Sequence, residues 1–123
     1  MRSFLTWMAC LWFVTGAFAQ STADAEQCAN AGDSGDDTIA ACTRAIKSGQ
    51  LSSVNLAVTF YNRGNTWGRK GDNESALADY NETIRLIPQY ALAYHNRGNT
   101  WGRKGDNDRA LADYDEAIRL NPK

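Results

Sequence analysis

The sequence predicts an all-α fold, a short solenoid of stacked antiparallel helix hairpins. The twelve residues NRGNTWGRKGDN occupy positions 62–73 and recur letter for letter at positions 96–107. Over a wider window, residues 57–89 and 91–123 align at an offset of 34 without a gap, and 23 of the 33 pairs are identical. A fixed period of this length is typical of arrays in which each unit is one helical element that stacks on the next.

The first 19 residues, MRSFLTWMACLWFVTGAFA, are predicted to be a signal peptide. Arg2 precedes an apolar stretch, and residues 17–19, Ala-Phe-Ala, fit a cleavage site. The alternative is a retained membrane anchor, but the apolar run is interrupted and shorter than the roughly 20 residues that a span needs. We therefore expect a mature chain that begins at Gln20, has no membrane span, and is periplasmic or secreted.

Cleavage would leave Cys28 and Cys42 as the only cysteines. An even cysteine pair in an exported chain predicts a disulfide. The alternative is a catalytic redox pair, which usually has the close C-x-x-C spacing, whereas thirteen residues separate these two. A structural disulfide across a loop of this length stabilises a fold by about 3 kcal/mol in the chain-entropy model.

Residues 57–90 are predicted to form one helical hairpin. In the first helix, Phe60, Gly64 and Trp67 are spaced i, i+4, i+7 and share one face. Residues 71–73, Gly-Asp-Asn, break the helix and supply turn and capping groups. The second helix has an apolar stripe that consists of Ala76, Leu77, Tyr80 and Ile84. Pro88 ends this helix, and we expect Gly64 to face Ala76 across the hairpin and Gly98 to face Ala110 in the second copy.

Residues 91–123 repeat the same scheme and predict a second hairpin stacked on the first. Helices are expected over 91–105 and 108–120. The residues at the corresponding packing positions are Tyr94, Gly98, Trp101, Ala110, Tyr114, Ala117 and Ile118.

Each unit resembles a tetratricopeptide repeat (TPR). The residues that carry the resemblance are Phe60, Gly64, Trp67, Ala76, Tyr80, Thr83 and Pro88, and in the second copy Tyr94, Gly98, Trp101, Ala110, Tyr114, Ala117 and Pro122. The departures from the family pattern are Thr83 in place of Ala, Arg63 and Arg97 where Leu is commoner, and Gly68 and Gly102 after the aromatic residue. The two glycines weaken each first helix by up to about 1 kcal/mol relative to Ala.

Residues 20–56 are predicted to be a degenerate leading hairpin. The stretch DDTIAACTRAIKSG is similar to SALADYNETIRLIP in the next unit, which places Cys42 over Tyr80. Cys28 then falls near the aromatic position of the preceding helix, so the disulfide would tie the two helices together. In this respect the chain resembles small exported bacterial TPR proteins with a cysteine-paired leading unit.

The resemblance implies a protein-interaction module, because TPR arrays hold peptides in a groove lined by the first helix of each hairpin. The candidate groove residues are Asn62, Asn65, Arg69, His95, Asn96, Asn99 and Arg103. Asn offers donor and acceptor groups to a peptide backbone, and Arg pairs bidentately with carboxylates. The expected ligand is a protein or peptide, acidic or with a free C-terminal carboxylate. The alternative is that this polar face only contacts water.

Enzyme activity is not expected from the sequence. His95 is the only histidine, and no serine or free cysteine lies in a recognisable nucleophile setting. There is no phosphate-binding glycine motif and no complete calcium loop, so we expect neither cofactor nor metal. The mature chain would carry 12 basic and 14 acidic side chains, a net charge of about −2. That balance does not favour nucleic acid as a partner.

An alternative function is self-association through the last helix. No further polar helix follows Pro122 to cap the last hairpin, and solenoids normally need such a cap. The apolar edge around Leu111, Tyr114 and Ile118 is therefore expected to be exposed, which would favour an assembly or structural subunit that forms a homo-oligomer.

Overall fold

The computed structural model describes residues 4–30 and 35–123, with side chains from residue 16 onward. These segments contain six α-helices and no strand, which confirms the predicted all-α solenoid. The helices are α1 (Phe4–Ala29), α2 (Gly35–Lys47), α3 (Ser53–Lys70), α4 (Asn73–Leu86), α5 (Ala91–Arg103) and α6 (Asn107–Leu120). They pack as the hairpins α1–α2, α3–α4 and α5–α6, and the hairpins stack because α3 also packs on α2 and α5 on α4.

Helix α1 is continuous across the predicted cleavage point between Ala19 and Gln20. This continuity does not test cleavage, so the signal peptide over residues 1–19 stays a prediction. None of the helices in the described segments is long and apolar enough to cross a membrane.

The leading hairpin is held by covalent and ionic contacts between α1 and α2. Cys28 and Cys42 form a disulfide, and both side chains are buried. On the same pair of helices, Asp24 of α1 forms an ion pair with Arg44 of α2, with 3.0 Å between the nitrogen and the oxygen. The acidic partner of this pair therefore lies on the first helix of the hairpin.

Helix α3 begins at Ser53, four residues before the predicted repeat start at residue 57. The hydroxyl oxygen of Ser52 accepts a hydrogen bond of 3.2 Å from the backbone N–H of Asn55. A serine in this position caps a helix and allows it to start earlier than the repeat alignment indicates. The helix ends at Gly71, which has a φ of 85°, a left-handed conformation that favours glycine.

The packing glycines lie against tyrosine rings. A Cβ atom on Gly64 would lie 2.9 Å from Cε1 of Tyr80, and one on Gly98 would lie 2.9 Å from Cε1 of Tyr114. For Gly64 the expected partner is Ala76, but the nearest side chains are those of Tyr80 and the adjacent Asp79. For Gly98 the carbonyl oxygen of the expected partner Ala110 lies 3.2 Å from the Cβ position, beside the tyrosine ring. Glycine is needed here because the tyrosine ring occupies the space that a Cβ atom would fill.

A bidentate ion pair joins the two helices of each repeat hairpin. Arg63 donates through Nε and Nη2 to the carboxylate of Asp79, at 2.8 Å for both bonds. Arg97 makes the same two bonds with Asp113, at 2.8 and 2.7 Å. The hydrogen bond to Asp113 raises the pKa of Arg97. These arginines are the departures from the TPR pattern noted above, and their structural role explains the residue type.

Candidate functional site

The structure brings five of the seven predicted groove residues together between α3 and α5. The groove has a volume of about 310 Å³. Its lining consists of Asn65, Gly68, Arg69, Tyr80, Asn96, Asn99 and Arg103. Because α3 and α5 are the first helices of successive hairpins, the repeat places equivalent polar residues side by side.

Hydrogen bonds within the α3–α4 hairpin and between it and α5 fix the floor of the groove. The side-chain oxygen of Asn65 accepts from the hydroxyl of Tyr80 at 2.7 Å and from the amide nitrogen of Asn96 at 2.9 Å. The same nitrogen of Asn96 also donates to the hydroxyl oxygen of Tyr61 at 3.0 Å. Burial raises the pKa of Tyr80, so its hydroxyl keeps its proton and remains a donor to Asn65.

Asn99 lies at the same groove one repeat later. Its side-chain oxygen accepts a hydrogen bond of 2.6 Å from the hydroxyl of Tyr114. This bond orients the amide, and its NH₂ group donates to no other side chain within the described part of the chain. The amide of Asn99 is thus a preoriented donor at the groove.

The positive charge of the groove comes from Arg69 and Arg103. Nη2 of Arg69 donates to Thr66 at 3.2 Å, and Nη2 of Arg103 donates to Thr100 at 3.0 Å. Both arginines are exposed, and neither forms an ion pair with a carboxylate among the residues that the structure describes. Both guanidinium groups therefore remain uncompensated and can bind an anion.

The neighbouring lysines do not add to this charge in the same way. Lys70 forms an ion pair with Asp36, and Lys104 forms one with Glu74. These two pairs link successive hairpins, so the lysine charges are compensated within the chain.

The other two predicted groove residues lie elsewhere. Asn62 lines a separate hollow of about 270 Å³ between α1 and α3, beside Thr22 and Glu26. His95 lies against Tyr114, with 5.7 Å between the ring centres, in a hollow at the end of the stack. Both positions follow from the order of the helices in the stack. The helix beside Asn62 is α1 rather than a full TPR helix, and His95 lies on the side of α5 that faces away from α3.

Gly68 and Tyr80 line the groove but were not among the predicted site residues. Gly68 leaves room for the guanidinium of Arg103, because a Cβ atom at this position would lie only 3.1 Å from Nη2 of Arg103. The sequence contained a signal for this, since Gly68 departs from the TPR pattern. Tyr80 was assigned to packing only, although its hydroxyl also orients Asn65.

The arrangement offers hydrogen-bond donors and positive charge rather than metal ligands. Within residues 4–30 and 35–123, no group of three or more His, Cys, Asp or Glu side chains could hold a metal ion. Two guanidinium groups and the amides between them can bind a carboxylate or the backbone of an extended peptide.

Comparisons with known proteins agree with this architecture. A family profile described as "Tetratricopeptide repeat" matches residues 91–123, and a second, described as "TPR repeat", matches residues 64–105. No curated protein matches the sequence significantly. The two profiles identify TPR repeats within residues 64–123, and repeats of this kind generally mediate protein–protein interaction.

Two solved structures are similar in fold. One, titled "Crystal structure of MamA", superposes with a TM-score of 0.67 at 26% identity and covers 73% of this chain and 50% of that one. Another, titled "Crystal structure of MamA protein", has a TM-score of 0.65 at 26% identity and covers 74% and 48%. The present chain thus spans about half the length of these two proteins.

Proposed function

We propose that the chain is a non-catalytic interaction module that binds an acidic peptide, or a free C-terminal carboxylate, in the groove between α3 and α5. The observation that carries this proposal is the convergence of two uncompensated guanidinium groups, those of Arg69 and Arg103, on one groove. Arginine is suited to this role because its planar fork pairs bidentately with a carboxylate.

Hydrogen bonds within the protein also preorganise the groove. Asn65, Asn96 and Tyr80 are joined by hydrogen bonds within the protein, so their positions are set before a ligand arrives. A preorganised site loses less conformational entropy on binding than a flexible one. The oriented amide of Asn99 then supplies a donor for a peptide carbonyl or a carboxylate oxygen.

We further propose that this function is performed in the periplasm or outside the cell. Two features support that location. The first 19 residues have the composition of a signal peptide. A buried disulfide between Cys28 and Cys42 suits an oxidising compartment.

The proposal can be tested with a fluorescent hexapeptide of glutamate and glycine that ends in a free carboxylate. Fluorescence anisotropy should show saturable binding to the purified chain. The double variant Arg69→Gln, Arg103→Gln should weaken binding by about tenfold or more, because each charge-assisted hydrogen bond contributes about 1.5–3 kcal/mol. The same peptide with a C-terminal amide separates recognition of the terminus from recognition of the glutamates.

A matched control is available in the second helices. Arg85 and Arg119 occupy equivalent exposed positions on α4 and α6, outside the groove, and each pairs with a nearby glutamate. Arg85→Gln, Arg119→Gln removes the same charge and should leave peptide binding unchanged. Absence of saturable binding, or an equal loss in the two double variants, would remove the groove as the site.

A second candidate function is assembly through the surface at the far end of the stack. We call this surface the end face, and it comprises Leu92, His95, Asp108, Leu111, Asp115 and Ile118. Three of these residues are large apolar side chains with high exposure, at 57% for Leu92 and 61% for both Leu111 and Ile118. Apolar clusters of this kind favour a bound partner, either a second copy that gives a homo-oligomer or another protein.

A further inference from the structure

The two junctions between successive hairpins use the same arginine contact. Nη1 of Arg63 on α3 donates to the hydroxyl oxygen of Thr43 on α2 at 3.0 Å. Nη1 of Arg97 on α5 donates to the side-chain oxygen of Asn81 on α4 at 2.9 Å. Counted from the starts of α2 and α4 at residues 35 and 73, Thr43 and Asn81 are both the ninth residue of their helix. Each second helix therefore offers an oxygen at this position to the arginine of the next hairpin.

A lysine contact is repeated in the same way. Lys70 pairs with Asp36, and Lys104 pairs with Glu74. Asp36 and Glu74 are each the second residue of the preceding second helix. In both junctions the arginine and the lysine are seven residues apart, which is two turns along one side of the incoming helix.

Helix α6 presents the same two acceptor positions without a partner. Counted from its start at residue 107, its second residue is Asp108 and its ninth is Asp115. Both are exposed, and neither is in an ion pair with any other described residue. In α6 the ninth residue, Asp115, carries a charged carboxylate, which attracts a guanidinium more strongly than the neutral side chain of Thr43 or Asn81 does.

The apolar part of the junction is also repeated and uncovered. Leu77 of α4 is 5% exposed, because the next hairpin packs over it, whereas its equivalent Leu111 is 61% exposed. Gly68 lies beneath the guanidinium of Arg103, whereas nothing lies within 4 Å of a Cβ atom built on the equivalent Gly102. The end face therefore corresponds, position for position, to the surface of the α3–α4 hairpin that α5 covers.

We propose that the end face binds a helix of a separate polypeptide that has an Asn-Arg pair and, seven residues after the arginine, a lysine. This is the pattern of Asn96, Arg97 and Lys104 in α5. The arginine pairs with Asp115, the lysine pairs with Asp108, and small apolar residues on the same helix cover Leu111. The inference rests on the second candidate function above and is independent of peptide binding in the groove.

An intact second copy of the chain does not supply this helix. The two helices with the pattern, α3 and α5, are already docked on α2 and α4 of their own chain. Helix α1, the first helix of the leading hairpin, contains no arginine or lysine. A second copy would therefore offer no basic side chain to Asp108 and Asp115, so the partner is a different polypeptide.

The direct test uses a fluorescent synthetic peptide with the sequence of residues 88–123, which contains the α5–α6 hairpin. Saturable binding to the purified chain is expected by fluorescence anisotropy. Asp108→Asn, Asp115→Asn should weaken binding by about tenfold, since two partly exposed charge pairs are lost. Gln50→Lys, Gln89→Lys changes the net charge by the same amount at exposed positions elsewhere and should have no effect.

A charge exchange makes the test specific. The receptor Asp108→Lys, Asp115→Arg should lose binding to the peptide and regain it when the peptide carries Arg97→Glu, Lys104→Glu. Equal binding to the parent chain and to the Asp108→Asn, Asp115→Asn variant would overturn the inference. Saturable self-association of the parent chain that Leu111→Glu abolishes would also overturn it, although it would support the broader assembly function.

A fused chain decides the outcome if the free peptide does not bind. A second copy of residues 90–123, placed directly after Lys123, reproduces the Pro-x-Tyr connection between α4 and α5. The fusion should have a higher thermal midpoint than the same fusion with Arg97→Glu, Lys104→Glu in the added copy. Equal midpoints, together with no peptide binding, would overturn the proposed chemistry of the end face.

Discussion

Leu77 and Leu111 occupy the same position in the two repeats and provide a matched pair for measuring how the stack is stabilised. Leu77 lies between α4 and the next hairpin and is 5% exposed, whereas Leu111 lies on the end face and is 61% exposed. The local helix and the neighbouring residues Ala-Leu-Ala-Asp-Tyr are the same in both repeats. Any difference between Leu77→Ala and Leu111→Ala therefore reports the contacts made by the following hairpin.

The expected difference follows from the exposed fractions. Truncation of leucine to alanine removes three carbons, each worth about 0.8 kcal/mol when fully buried, which gives about 2.4 kcal/mol for Leu77. The cavity left behind raises the cost to about 3 kcal/mol. Leu111 has lost less than half of its surface to contacts, so the same truncation should cost about 1 kcal/mol or less.

The assay is urea-induced unfolding of the disulfide-bonded chain, followed by far-ultraviolet circular dichroism. Leu77→Ala should lower the free energy of unfolding by about 2 kcal/mol more than Leu111→Ala does. Since helix propensity changes equally in the two variants, it cancels in the comparison. Equal losses would show that Leu77 is not covered by the next hairpin, which would refute the stacked arrangement of α4 and α5.

Two further predictions concern charged groups. Arg97→Met should cost about 3 kcal/mol in urea unfolding because it leaves the buried Asp113 unpaired, and Arg97→Met, Asp113→Leu should recover most of this loss. If the double variant does not recover the lost stability, the ion pair contributes more to the free energy of unfolding than an apolar pair of similar volume does. The hydrogen bond from the backbone N–H of Ser75 lowers the pKa of Asp72 below its ordinary value of 3.8. This carboxylate therefore stabilises the fold above that pH and loses its contribution as the pH falls below it. Asp72→Asn keeps a capping oxygen but cannot titrate, so its stability should fall less between pH 5 and pH 2; an unchanged pH profile would exclude this role.

The hairpins of residues 57–123 could be predicted from the sequence because their signals are local and repeated. The spacing of Phe60, Gly64 and Trp67 sets one helix face, and Gly71 adopts the left-handed conformation that a helix end requires. The start of α3 could not be predicted from the repeat alignment. It depends on Ser52, a capping residue that has no equivalent before α5, where the N-cap is Tyr90.

The candidate groove was predicted in part. Helical spacing grouped Asn65 and Arg69 with their equivalents, and the structure places these residues at one groove because they follow one side of each first helix. Spacing within one helix does not show which neighbour covers a residue, and for that reason Asn62 and His95 were assigned to the same groove. The pairing of Arg63 with Asp79 was missed because residues sixteen apart meet only when the hairpin closes.

The repeated dodecamer has two separable roles, which explains why its polar residues are as regular as its packing residues. Arg97 and Lys104 point back to the preceding hairpin, where they contact Asn81 and Glu74, and so set the position of one repeat on the next. Arg103, one residue before Lys104, contacts Asn73 and Thr100 but keeps an uncompensated charge at the groove. Each of the two copies of the dodecamer thus supplies an arginine and a lysine that join its hairpin to the preceding one, and each also contributes one arginine to the groove. The contacts that join the hairpins and the positive charge at the groove are therefore encoded in the same twelve residues, yet they depend on different side chains that can be changed one at a time.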